Sequence, residues 1–293
     1  MSDISEESES ILKQGCLVHL ECSIWGMRKK IPKSQVTVDA SPEYFNAVKY
    51  LIDPQQIKPI EQIRGAARNY LTNKSLPFPV TGLVFVPKDM IGIIDERLEV
   101  LSAEFTEKTG VFISHYNAFI ESAQEKLNGL FNPVDYPNDI SGRFGFRWKY
   151  ITLGAPGQSQ LLSAEVYERE KRKFEQTMFE FRETAVDTLR FSFSEMVERI
   201  TERLSGKKKV FRDSLIGNIQ EFLADFDALN ITDDTELSAQ VKRCGDIMKG
   251  VNPDMLRGND AFRNGIAASM ASVQTSLNSM MVDRPKRKLR PAA

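Results

Sequence analysis

Along the second half of the chain, apolar residues return every three or four positions. Phe174, Met178, Phe181, Ala185, Leu189, Phe193, Val197, Ile200 and Leu204 form one such stripe, the mark of a helix with a single buried face. Charged residues fill 168–173 ahead of it and Gly206 ends it. A second stripe over 210–229, with Phe211, Leu215, Ile219, Phe222 and Phe226, predicts an antiparallel return after a short connection. Thr232 and Asp233 are placed to cap a further helix, Pro253 and Gly258 interrupt, and Asp260 opens a last one. There Phe262, Ile266, Met270, Val273, Leu277 and Met280 repeat as in a coiled-coil face.

The first half mixes two periods. Alternation over 16–27, with Val18, Leu20, Cys22 and Ile24 opposite Leu17, His19, Glu21 and Trp25, predicts a half-buried strand. A second short strand is expected over 33–38. Ser41 before Pro42, with Tyr44, Val48, Leu51 and Ile52 behind, predicts a helix start. A helix over 57–71 carries Ile60, Ile63, Ala67, Tyr70 and Leu71 on one side and Arg64 and Arg68 on another, and Pro77 and Pro79 stop it. Residues 81–86 form a further strand. From Lys88 the spacing of Ile91, Ile94, Leu98, Leu101, Phe105, Phe112, Phe119 and Leu127 predicts one long helix over 88–130, bent at Gly110. Residues 143–153 alternate again, Phe144, Phe146, Trp148 and Tyr150 against Arg143, Gly145, Arg147 and Lys149, and a glycine-containing turn over 154–157 closes that strand.

The fold class that follows is α+β, mainly α, with a small strand component in the N-terminal half and long antiparallel amphipathic helices forming a bundle or helical hairpins. Four stretches are expected: a disordered acidic tail over 1–10, a mixed region over 11–157, an all-helical region over 158–282, and a flexible basic tail over 283–293. Hydrophobic residues at 41% and charged residues at 27% are those of a folding chain. The 39 basic and 40 acidic residues leave the whole molecule nearly neutral, so any polyanion site must be local. No apolar run reaches the roughly 18 to 20 residues of a membrane span. The acidic N-terminus lacks the pattern of a signal peptide, and a cytoplasmic location in a bacterial host cell is expected.

The motifs that would carry chemistry each fail on a named residue. Two histidines and three cysteines, spread from Cys16 to Cys244, offer no metal-ligand spacing. Cys16 and Cys22 on one strand stand roughly 20 Å apart, too far to bridge. The Gly-Lys of LSGKKK at 204–209 resembles part of a phosphate loop, but Thr201 stands where its first glycine belongs and Lys208 where Ser or Thr would hold magnesium. The paired carboxylates Asp95 with Glu96 and Asp233 with Asp234 are read as helix-start residues. No catalytic, cofactor-binding or metal-binding residue is assigned.

Two polyanion candidates stand out. GRFGFRWKY at 142–150 resembles an RNA-recognition octamer around Phe144, Gly145 and Phe146, with Arg143 in place of its glycine and Arg147 in place of an aliphatic residue. The alternative is a strand with an aromatic core face and a basic outer face, on which Arg143, Arg147 and Lys149 remain candidates. The second is RPKRKLR at 284–290, with Arg284, Lys286, Arg287, Lys288 and Arg290.

Several segments taken in order resemble a phage-associated family of unknown function: GCLVHLECSIWGMRKKIP at 15–32, RGAARNYL at 64–71, FPVTGLVFVP at 78–87, EFTEKTGVFISHYNAF at 104–119 and the FGFRWKY segment after them. The resemblance covers most of the chain and implies no site residues. It implies a gene neighbourhood holding a MoxR-like AAA+ ATPase and a von Willebrand A-type protein, and hence these as protein partners. The expected function is a phage-encoded non-enzymatic scaffold or adaptor. The alternatives are a nucleic-acid-binding phage protein using the basic tail, and a virion or self-assembling structural component that would be an oligomer.

Overall fold

The structure, a computed structural model, describes residues 6–154, 162–205 and 213–281. Among them the order of elements is α1 (Glu6–Lys13), β1 (Gly15–Ser23), β2 (Arg28–Lys30), β3 (Val48–Tyr50), α2 (Pro54–Asn73), β4 (Leu76–Pro77), β5 (Leu83–Pro87), α3 (Ile91–Ser114), α4 (Tyr116–Leu127), β6 (Gly145–Ile151), α5 (Ala164–Ser205), α6 (Asp213–Leu229), α7 (Thr235–Met248), α8 (Pro253–Gly258) and α9 (Asp260–Met280). This is the mainly helical α+β class. Strands β4, β5, β1 and β6 lie in that order in one sheet, and β2 and β3 form a separate ribbon.

Two compact units divide these elements, and neither is a continuous piece of chain. The first takes residues 1–18, 74–91 and 150–293; the second takes 19–73 and 92–149.

The first unit is built on α5. Its 42 residues span about 63 Å at 1.5 Å per residue. Met178, Phe181, Ala185, Leu189, Phe193, Val197, Ile200 and Leu204 are all buried along one side. Against that side pack α9, through Met270, Val273 and Leu277, and α6, through Ile219 and Phe226; α7 packs on both α6 and α9. Phe181 also meets the rings of Phe78 and Phe85 at centroid distances of 5.2 and 5.0 Å. The cap of α7 is Asp234, whose side chain accepts from the Leu237 N–H, and not Thr232 or Asp233. Asp233 instead takes a left-handed turn at φ 53°.

Gly15 opens β1 at a place where no side chain fits. A Cβ there would overlap the Val86 carbonyl oxygen and come within 2.7 Å of the Phe85 ring. Gly15→Ala is therefore expected to destabilise the first unit by about 1–3 kcal/mol through overpacking. Urea unfolding followed by far-UV circular dichroism checks this, and an unchanged midpoint would contradict it.

In the second unit, α2 buries Ile57, Ile60, Ile63, Ala67 and Leu71, and α3 buries Ile94, Leu98, Leu101, Phe105 and Phe112. The expected single helix over 88–130 is two. Gly110 stays helical, and the break falls at His115, with φ −97° and ψ 3°. The reason is local competition for one acceptor: Ser114 Oγ and His115 Nδ1 both lie 2.8 Å from the Val111 carbonyl oxygen, and such side-chain bonds rival the helical ladder.

Two further expectations are corrected in 26–52. Residues 33–38 are not a strand, since Lys33–Gln35 is a 3-10 turn. Nor does Ser41 start an α-helix: Pro42–Tyr44 is a single 3-10 turn, after which the chain extends into β3. β3 pairs antiparallel with β2, with Arg28 opposite Tyr50, Lys29 opposite Lys49 and Lys30 opposite Val48. Backbone bonds from Leu51 to Met27 and from Ile31 to Ala47 extend the pairing at both ends.

Candidate polyanion surface

The strand expected over 143–153 is shorter, Gly145–Ile151, with Arg143 in the 3-10 turn Ser141–Arg143 before it, and the segment divides its aromatic and basic side chains between two sides. On one face, Phe146 meets Phe105 at 5.6 Å, Phe144 meets Phe112 at 5.7 Å, and the Trp148 indole N–H donates to Asp95 at 2.9 Å. The rings of Phe144, Phe146 and Trp148 are thus engaged by α3, while Tyr150 at the end of the strand is 37% exposed. On the other side of the strand Arg147 and Lys149 are exposed, as is Arg143 on the turn before it. Arg147 pairs with Glu21 at 3.2 Å, a contact between exposed side chains that contributes little. Phe144 and Phe146, the aromatic positions of the RNA-recognition-like octamer, therefore serve packing, leaving a thin basic face. Arg284, Lys286, Arg287, Lys288 and Arg290 lie outside the described residues, as do the phosphate-loop-like Gly206 and Lys207.

A second basic element is the β2–β3 ribbon, whose role was not legible from composition. Directly opposed residues of an antiparallel pair project to the same side, and neighbours along a strand to opposite sides. Lys29 and Lys49 therefore share one side, where both approach Asp135, at 3.5 and 2.7 Å. Lys49 also donates to the Leu130 carbonyl at 2.5 Å. The hydrogen bond from Lys49 holds the Asp135 carboxyl below its ordinary range, against the opposing effect of burial. Beside it the Tyr136 hydroxyl donates to the Leu51 carbonyl at 2.8 Å. The ribbon is thereby fastened along one side. The sequence signal was the run Arg28-Lys29-Lys30, lying between the two segments, 16–27 and 33–38, that were read as strands.

The charged residues of the first unit that are removed from solvent are structural. Lys74 is buried between Asp225 and Glu221, one helical turn apart on α6, with Glu221 at 2.6 Å. Burial alone would lower its pKa, but the two carboxylates raise it. Arg190 holds Asp234 through two bonds of 2.6 and 3.0 Å and also reaches Glu236 and the Met280 carbonyl. Asp95 and Asp234, two of the four carboxylates singled out in the sequence, thus have packing partners.

Nucleophile and metal chemistry find no assembly. All three cysteines are free, and burial pushes the Cys244 thiol up to about 12, which keeps it from acting as a thiolate. His115 is exposed and stacked on Phe119. Among the described residues no cluster of three or more His, Cys, Asp or Glu could hold a metal ion, and no helix is long and apolar enough to cross a membrane. A cleft of about 270 Å³ in the second unit is lined by Ile52, Phe119 and Leu127, with Asp53 and Lys126 3.9 Å apart. Tyr50, Gln56 and Ser122 are its other polar lining residues.

An exposed apolar line runs along α3. Ile93, Val100 and Val111 are 51%, 49% and 53% exposed. Their spacings of seven and eleven residues place them within about 20° of one another around the helix and over about 27 Å of its length.

Fold and surface together define a mainly helical α+β protein whose distinctive features are surfaces. The chain belongs to the family described as protein of unknown function (DUF3150), whose model matches residues 12–266. No curated protein and no solved structure matches it.

Proposed function

We propose that the protein is a phage-encoded, non-enzymatic scaffold or adaptor that acts in the cytoplasm of the bacterial host with a MoxR-like AAA+ ATPase and a von Willebrand A-type protein. The observation that carries this reading is the apolar line of Ile93, Val100 and Val111 on α3. Three β-branched side chains near half exposure, aligned on one helix face, offer an anchor row to a partner groove. Arg97, Glu104 and Lys108 on the same exposed side supply the mixed polar rim of a reversible interface. The 42-residue α5 adds a rigid strut of the kind that holds partner surfaces at fixed spacing. The identity of the partners rests on the gene neighbourhood that the family resemblance implies.

Co-purification tests the proposal: the chain is expressed with the ATPase and the A-domain protein encoded beside its gene and recovered in ATP, in ADP and without nucleotide. A stable complex in at least one state is expected. Failure to co-purify in all three overturns the adaptor reading.

A further inference from the structure

We propose that the β2–β3 ribbon binds single-stranded nucleic acid on the side that carries Arg28, Lys30, Val48 and Tyr50. Lys29 and Lys49 are drawn to Asp135 on the other side, which leaves this one without that carboxylate. Residues 26–51 hold five basic side chains, Arg28, Lys29, Lys30, Lys33 and Lys49, against two acidic ones, Asp39 and Glu43. In a chain with net charge −1, this is a local concentration of positive charge. Arg28 and Lys30 are both exposed and lie two positions apart on one strand, about 6.6 Å at the usual rise.

Aromatic rings accompany the cations. The Arg28 guanidinium lies 5.2 Å from the Tyr50 ring centre, and the Lys33 ammonium 5.6 Å from that of Phe45. Tyr50 is 43% exposed and Tyr44, on the turn before β3, is 89% exposed. Tyr44 is thus accessible on the turn, and Tyr50 is accessible beside the Arg28 guanidinium. Cations that track phosphates beside rings that stack bases are the two components of single-strand recognition. The choice over an anionic membrane rests on the apolar content. Val48 is the one aliphatic side chain among the four, too little to insert into a bilayer, whereas tyrosine faces suit unpaired bases.

The probe is a fluorescein-labelled dT20 oligonucleotide, titrated with the full chain by fluorescence anisotropy across a salt series. Because the 284–290 segment is itself basic, the measurement is made in a full-length background with Arg284, Lys286, Arg287, Lys288 and Arg290 all changed to Gln. Binding is expected to persist there. Arg28→Gln with Lys30→Gln should weaken it about tenfold and flatten the slope of log affinity on log salt by about 1.4, at about 0.7 for each phosphate no longer neutralised. Tyr50→Ala should weaken it about tenfold with the slope unchanged. Lys30→Glu alone serves if the double variant loses its circular dichroism spectrum, and it should also weaken binding and lower the slope.

Three results would each overturn the proposal. Affinity and slope unchanged by the ribbon substitutions place binding elsewhere. Equal affinity for a twenty-base-pair duplex removes the preference for unpaired bases. Ribbon-dependent binding to phosphatidylserine vesicles without binding to dT20 makes the surface a membrane contact.

Discussion

Phe181→Ala is expected to cost about 3–5 kcal/mol of stability, the usual range for removing a buried phenylalanine. Phe181 is fully buried near the start of the α5 stripe, and it is the ring to which Phe78 and Phe85 both pack. Removing it deletes two aromatic contacts and leaves a cavity between a helix and strands β4 and β5, whose backbones are set by sheet pairing and close only partly. The effect is read in far-UV circular dichroism, since α5 to α9 belong to the first unit. Both tryptophans, Trp25 and Trp148, belong to the second. Tryptophan emission therefore reports the second unit, whereas ellipticity carries α5 to α9 of the first together with α2 to α4 of the second. A loss below 1 kcal/mol by ellipticity would mean that this ring is not part of the core.

Asp234→Ala has the next largest expected effect, about 2–4 kcal/mol. One carboxylate caps α7 through the Leu237 N–H and receives two bonds from Arg190. Its side chain is 6% exposed and that of Arg190 22%, so loss of the carboxylate leaves a partly desolvated cation with only Glu236 and the Met280 carbonyl while the cap disappears. Asp234→Asn separates the two roles. Asparagine keeps an acceptor for the cap and removes the charge, and should cost less than alanine. Acidity provides a second check. Burial would raise the Asp234 carboxyl, but Arg190 and the Leu237 N–H hold it below its usual range. A carboxyl lowered by folding stabilises fully above its unfolded value and loses that contribution as pH falls through the folded one. The gap between wild type and Asp234→Asn is thus expected to be constant near neutrality and to shrink below about pH 4. A gap independent of pH down to pH 2 would rule out a stabilising ion pair with Arg190.

The helices that pack on one long face were legible because burial repeats along them. Every apolar member of the α5 stripe from Met178 to Leu204 is buried. The α9 stripe was legible in the same way, as were the strands β1, β5 and β6. What failed depended on a single local contact or on a distant partner. The spacing of Tyr44, Val48, Leu51 and Ile52 imitates a helix, yet only Leu51 and Ile52 are buried. Val48 and its neighbours are held extended by Arg28–Lys30, some twenty residues earlier, a pairing that no period within one segment reveals. The Ser-Pro pair at 41–42 was used by a 3-10 turn, to which the same side-chain preferences apply. The helix break at His115 came from one histidine and one serine bonding back to one carbonyl, where glycine, the weakest helix former in the segment, stayed helical.

The candidate sites divide in the same way. That the rings of the 144–148 strand would face a core followed from alternation, and α3 supplies that core. The ribbon needed the structure, because Lys29 and Arg28 are adjacent in sequence and differ only in which side faces Asp135. The α3 line of Ile93, Val100 and Val111 was also missed: the buried stripe of the same helix dominates its apolar pattern, and exposed aliphatic residues at sevenfold and elevenfold spacing become visible only once burial is known.

The most direct measurement of the adaptor reading is isothermal titration of the full chain into the AAA+ ATPase proposed as its partner, with and without Val100→Glu and Val111→Glu together. Both positions are solvent-facing, so the double variant should retain its circular dichroism spectrum and melting temperature. Carboxylates placed in an apolar interface should weaken the complex at least a hundredfold, roughly the 3 kcal/mol or more expected for burying unpaired charge. Wild-type affinity in a folded double variant would contradict the claim that this face of α3 engages the ATPase.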